Sequence, residues 1–118
     1  MAYVDVYVAA VPTDGKQAWL NHAKKLDGIF MEAGALEIVE TWGSDVPAGK
    51  LTSFPMAVQC KPDETVSVGW IKWSSKEARD QAWEVLMKHP DMQPGASAMP
   101  FDGACMIFGG FDIVREIR

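Results

Sequence analysis

An aspartate set between two tyrosines is the first arrangement in this chain that could do chemistry. In Tyr3-Val4-Asp5-Val6-Tyr7, side chains alternate across a strand, so Tyr3, Asp5 and Tyr7 share one face and Val4, Val6 and Val8 the other. A carboxylate buried on such a face is costly unless it is paired. Two outcomes stay open for Asp5. Either hydrogen bonds or a basic neighbour satisfy it, or its pKa is raised and it serves as a general base beside a bound small molecule. Trp73, at the end of a later strand, joins Asp5 and Tyr7 as a candidate ligand-binding residue only by analogy with related folds. Packing in the core or at an interface is its alternative.

The remaining reactive side chains assemble into nothing sharper. The two histidines are His22, at the edge of a helical stripe, and His89, at the end of a second helix, where a cation suits the helix dipole. Cys60 and Cys105 have neither the spacing nor the neighbours of a zinc site, and they read as small buried apolar residues. No Ser/His/Asp or Cys/His arrangement can be built. Gly109-Gly110 falls inside a strand rather than between strand and helix, so it is a bulge rather than a phosphate loop. No metal and no organic cofactor is expected.

The elements that must position these residues follow from periodicity and punctuation. Tyr3 to Val11 is a strand ended by Pro12. Asp14 with Gln17 resembles a capping box, with Thr13 as the alternative cap. Trp19, Ala23, Leu26, Phe30 and Ala33 then form one stripe of a helix, which Gly34 stops with a left-handed residue. Leu36 to Trp42 is a second strand and Ser44 to Pro55 a loop. Met56 to Cys60 and Thr65 to Trp73 make a third strand, bent at Lys61-Pro62-Asp63 because proline cannot donate to the ladder. Ser74 and Glu77 fit a second capping box. The helix after them turns Ala78, Ala82 and Val85 inward, with Trp83 and Leu86 beside them, and ends at His89-Pro90. Asp91 to Gly103, with Met92, Met99 and Phe101, is an irregular segment able to act as a lid, to cover a sheet edge or to reach across to a partner subunit, and Ala104 to Val114 is the last strand.

The order β, α, β, β, α, β predicts a single α+β domain over residues 1–118 with a ferredoxin-like βαββαβ fold. Right-handed crossovers put both helices on one face of a four-stranded antiparallel sheet. The other face is left bare. Tyr3, Asp5 and Tyr7 are expected on it, together with aromatic residues of the other strands, and such a face marks an interface or a ligand groove.

Composition narrows the partners. With 11 Lys and Arg against 16 Asp and Glu, the net charge is −5. Nucleic acid and anionic membrane surfaces both call for a basic patch, and Lys24-Lys25 is the only adjacent basic pair. No apolar run approaches the ~20 residues of a membrane helix. The first residues, Met1-Ala2-Tyr3-Val4-Asp5, lack a signal-peptide pattern, so the cytoplasm is the expected compartment.

Several blocks carry a resemblance: Tyr3-Val4-Asp5, Trp42-Gly43, Gly49-Lys50 with Thr52, Trp70-Ile71-Lys72-Trp73, Ser75-Lys76, Arg79-Asp80, Met99-Pro100-Phe101-Asp102-Gly103 and Met106-Ile107-Phe108-Gly109-Gly110-Phe111. Over essentially its whole length the chain resembles the uncharacterised bacterial YbaA-like family of the dimeric α/β-barrel superfamily. That resemblance implies a ferredoxin-like protomer and a homodimer whose sheets pack face to face, and no established reaction. It departs from the family pattern at Ala104-Cys105, where a basic pair is frequent. In related barrels a tryptophan stands near the position of Trp73, but haem-degrading members also use a histidine on the second helix. Here that stretch reads Asp80-Gln81-Ala82-Trp83, which gives no haem ligand.

Two functions fit these readings. One is a dimeric barrel whose cavity holds a small apolar or aromatic molecule, with cofactor-independent oxygenation or isomerisation as the enzyme class. The other is a non-enzymatic dimerisation module with no ligand cavity.

Overall fold

The computed structural model describes residues 1–93, 100, 101 and 103–118. Its elements run β1 (Tyr3–Pro12), a 3-10 turn (Thr13–Gly15), α1 (Lys16–Glu32), β2 (Glu37–Glu40), a short α2 (Phe54–Ala57), β3 (Glu64–Trp73), α3 (Lys76–Leu86), two more 3-10 turns (Pro90–Met92 and Gly103–Cys105) and β4 (Ile107–Asp112). The four strands form one sheet in the order β2-β3-β1-β4, and every neighbouring pair is antiparallel. This is the ferredoxin-like α+β arrangement expected from the element order.

Local chemistry sets most boundaries. Gly34, at φ +115°, ends α1 in a conformation that side chains with a Cβ rarely adopt. Ser75, not Ser74, caps α3 by accepting from the Ala78 N–H at 3.0 Å. No side chain caps α1, which emerges from the 3-10 turn instead. Met56 to Ala57 belongs to α2 rather than to a strand, because Ser53 accepts from the Met56 N–H and Pro55 stands in the first turn, where its missing N–H costs nothing. Gly109-Gly110 forms no bulge, since β4 pairs with β1 without a break from Ile107 to Asp112. A Cβ on Gly110 would collide with the Tyr3 ring. Close approach of that ring, not a bend, explains the glycine.

The register fixes the two faces. Tyr3, Asp5, Tyr7, Ala9 and Val11 stand opposite Trp73, Ile71, Gly69, Ser67 and Thr65, and this set faces the helices. One part of the core joins Tyr3 and Trp73 to Phe30 of α1 and to Ala82 and Leu86 of α3. Another joins Ala9 and Val11 to Trp19 of α1, with Trp42, Phe101 and Met106 around them. The predicted inner stripe of α1 is thus in place, with Trp19, Ala23 and Phe30 buried. In α3, Val85 is exposed and Trp83 turns inward instead.

The face expected to hold Tyr3, Asp5 and Tyr7 in the open is therefore the covered one. The other face carries Val4, Val6 and Val8 of β1, Val68, Trp70 and Lys72 of β3, Val39 of β2, and Ile107 and Phe111 of β4. Among the described residues no long helix lies on it. The segment around α2 does cover one end, burying Val58 against Val8, Ala10 and Val66. At the other end Val4, Val6, Val39 and Trp70 stay half-exposed, and Phe111 is 55% exposed. Among the described residues no helix is long and apolar enough to cross a membrane.

Candidate functional site

Asp5 and Trp73 meet, and they meet inside the protein. Asp5 lies near the start of β1, where the covered face leads its carboxylate under α3. Trp73 Nε1 donates to Asp5 Oδ2 at 3.0 Å, and Trp83 Nε1 donates to the same oxygen at 3.2 Å. Arg79 adds Nη2 to Oδ1 at 2.7 Å and Nε shared between both oxygens at 3.1 Å. Arg79 and Trp83 are one helical turn apart, so both reach the same point below α3. The carboxylate holds Arg79 above its usual pKa, mainly through that hydrogen bonding. Two indoles and a forked guanidinium occupy the acceptor positions a carboxylate offers. Of the two outcomes open for Asp5, this geometry matches satisfaction by hydrogen bonds and a basic neighbour.

Tyr7 sits apart from that node, two residues along β1 and beneath α1. Its ring and the Glu40 carboxylate lie together over Gly69, where a Cβ would fall 2.6 Å from Glu40 Oε1 and on top of the Tyr7 ring. Burial raises the Tyr7 hydroxyl above its usual pKa, and the nearby Glu40 and Asp27 charges add to the effect. Glu40 is itself pushed up to about 7 by burial, with Asp27 contributing. Asp27, on α1, is pushed up to about 6 by burial. Tyr7, Asp27 and Glu40 thus form a half-buried cluster in which the two carboxyl groups titrate near neutral pH while the Tyr7 hydroxyl keeps its proton. Sequence reasoning named Tyr7 but missed both carboxylates. Asp27 four residues before Met31, and Glu40 closing a strand that alternates Ile38 inward, are unremarkable until the register is known.

The other candidates keep structural places. His22 is lowered in pKa by partial burial and by Lys25. His89 Nδ1 accepts from the Asp91 N–H at 3.1 Å, capping the 3-10 turn after α3. Cys60 is half-buried rather than buried, and its thiol is pushed up by desolvation and by Glu64 and Asp63, which disfavours the reactive thiolate. Of the segment read as a lid, residues 94–99, including Met99, and Asp102 lie outside the described residues. No group of three or more metal-ligating side chains exists among the described residues.

On the bare face, a shallow groove of about 270 Å3 opens between β1, β2, β3 and the segment after β4. Val4, Val6, Trp70 and Ile113 wall it, and Lys72 with Glu116 stands at its polar end.

Comparison with known proteins places the chain in a family. The family described as "Protein of unknown function (DUF1428)" matches residues 2–103. "Uncharacterized protein YbaA" of Escherichia coli (strain K12) is 49% identical over 116 residues, covering 98% of this chain and 99% of that protein. The protein of the same name in Shigella flexneri matches to the same extent.

Proposed function

The chain belongs to the DUF1428 family, and from that premise we propose that it works as a homodimer whose bare sheet faces pack together and shelter a small molecule. One observation carries the proposal. The half-exposed side chains Val4, Val6, Val39 and Trp70 share a continuous apolar face with Ile107 and Phe111, which are 46% and 55% exposed. A contiguous apolar patch of that kind in a small chain marks an interface.

A second copy is the occupant that fits. A two-fold interface requires a surface complementary to itself. On this face the Lys72 charge is matched within one chain by Glu116, and the Glu37 carboxylate at its edge accepts a hydrogen bond from Trp70 Nε1. Two molecules of net charge −5 thus present here a face whose buried cation is already paired and whose centre is apolar. Isotope-filtered NMR on mixed labelled and unlabelled protein tests the pairing. Contacts between methyl groups of Val6, Val39 and Ile107 on different chains are expected, and their absence at 200 μM, a concentration well above a ~1 μM Kd, counts against it.

The acidic cluster favours a second, enzymatic reading. Asp27 and Glu40 suit general acid–base proton transfer, as in an isomerisation, because groups titrating near the working pH move protons best, and Tyr7, whose hydroxyl stays protonated, stands beside them as a hydrogen-bond donor. Asp5 and Trp73, proposed at first as ligand contacts, would then act by holding β1 and α3 in place. Thermal-shift screening of metabolites against wild type and Glu40→Gln tests this reading. A ligand that stabilises both proteins equally argues against it.

A further inference from the structure

Among the described residues, Lys72 is the buried cation on a face otherwise built mostly of Val, Ile, Phe and Trp. Its side chain is 8% exposed, and its Nζ lies 2.5 Å from Glu116 Oε2. A buried ammonium without an anion is strongly destabilising, so this position requires a carboxylate. The carboxylate comes from residues 113–118, which form no helix or strand and hydrogen-bond back through the Ile113 N–H to the Ala2 carbonyl. Lys72 is anchored in β3 between two strands. Glu116 is 42% exposed, and it is held below its usual pKa chiefly by Lys72. One half of the pair is fixed and the other is exchangeable.

We propose that the groove beside Lys72 binds a small monocarboxylate with an apolar body, and that Glu116 is its built-in competitor. The ligand's carboxylate would replace that of Glu116 on Lys72, and its body would lie against Val4, Val6, Trp70 and Ile113. The volume of about 270 Å3 suits a molecule the size of a phenyl-substituted short acid, at the small end of ligand pockets. A single ammonium matches one negative charge. A phosphate dianion would leave charge unmatched beside Glu37, which already accepts from Trp70 at 3.1 Å. Every lining residue comes from one chain, so the inference goes beyond face-to-face pairing and does not require it.

Isothermal titration of the full chain with 3-phenylpropanoate, and with the neutral 3-phenylpropanamide, tests the proposal. Glu116→Ala removes the competitor and should tighten acid binding about tenfold or more, a factor equivalent to about 1.4 kcal/mol. The amide should bind at least about tenfold more weakly than the acid. Lys72→Met should abolish the preference for the acid. If either variant does not fold, the wild-type protein's preference for the acid over the amide decides alone. Failure of the acid to bind Glu116→Ala at millimolar concentration, or equal affinities for acid and amide, would overturn it. Sedimentation of the same samples reports pairing separately, so loss of the dimer is not mistaken for loss of the groove.

Discussion

Arg79 on α3 grips Asp5 on β1, its Nη2 lying 2.7 Å from Oδ1 across 74 residues of chain. Two indoles complete the node, Trp73 at the end of β3 and Trp83 one turn beyond Arg79. One carboxylate thereby ties a central strand, its neighbour and the helix above them. The residue whose type first suggested catalysis is, in this fold, the pin that docks α3.

Asp5→Asn is therefore expected to destabilise the protein by about 2–4 kcal/mol. Removing one partner of a mostly buried ion pair strands the other, and the side chains here are only 14% and 25% exposed. Urea denaturation measures the effect, and an unchanged midpoint would contradict the structural role.

Gly69→Ala should cost about 1–3 kcal/mol, the usual penalty of forcing a methyl into a packed site. The added Cβ would strike the Tyr7 ring and the Glu40 carboxylate. Thermal unfolding checks it. A neutral result would mean that Tyr7 and Glu40 are not stacked over this strand.

Stability should fall as pH rises from about 4 to about 7. Glu40 and Asp27 have folded pKa values near 7 and 6, above their ordinary values of 4.5 and 3.8. The folded state therefore keeps protons that the unfolded chain has already lost, and stability declines across that interval. Below it both states are protonated, and the advantage is complete. Urea midpoints at several pH values test this, and Glu40→Gln should flatten the decline. A midpoint that rises with pH over the interval would contradict it.

The fold was far more legible than the site. Strand and helix order followed from alternation in Tyr3–Val11, from the Trp19–Phe30 stripe and from Gly34, because these signals are local. Met56–Cys60 misled, since a short apolar run looks alike in strand and helix and only the Ser53 cap with Pro55 distinguishes them. The side of the sheet was misjudged for a different reason. Period-two alternation separates Tyr3, Asp5 and Tyr7 from Val4, Val6 and Val8 without saying which set meets the helices, and the polar set looked the less suited to a core. Its burial depends on Arg79 and Trp83, a basic and an indole donor spaced four apart on α3. That spacing is visible in the sequence, but its meaning depends on contacts more than 70 residues away. Asp27 and Glu40 are linked only through tertiary packing, and no local pattern could have joined them.

Placing a charge at the centre of the bare face tests the pairing of two copies most directly. Sedimentation equilibrium at tens of micromolar, above a ~1 μM Kd, should give wild type a mass twice the 13.0 kDa of the chain. Val6→Asp should sediment at 13.0 kDa with its circular dichroism spectrum unchanged. A wild type that sediments as a single chain, or a Val6→Asp protein that remains folded and paired, would contradict the account.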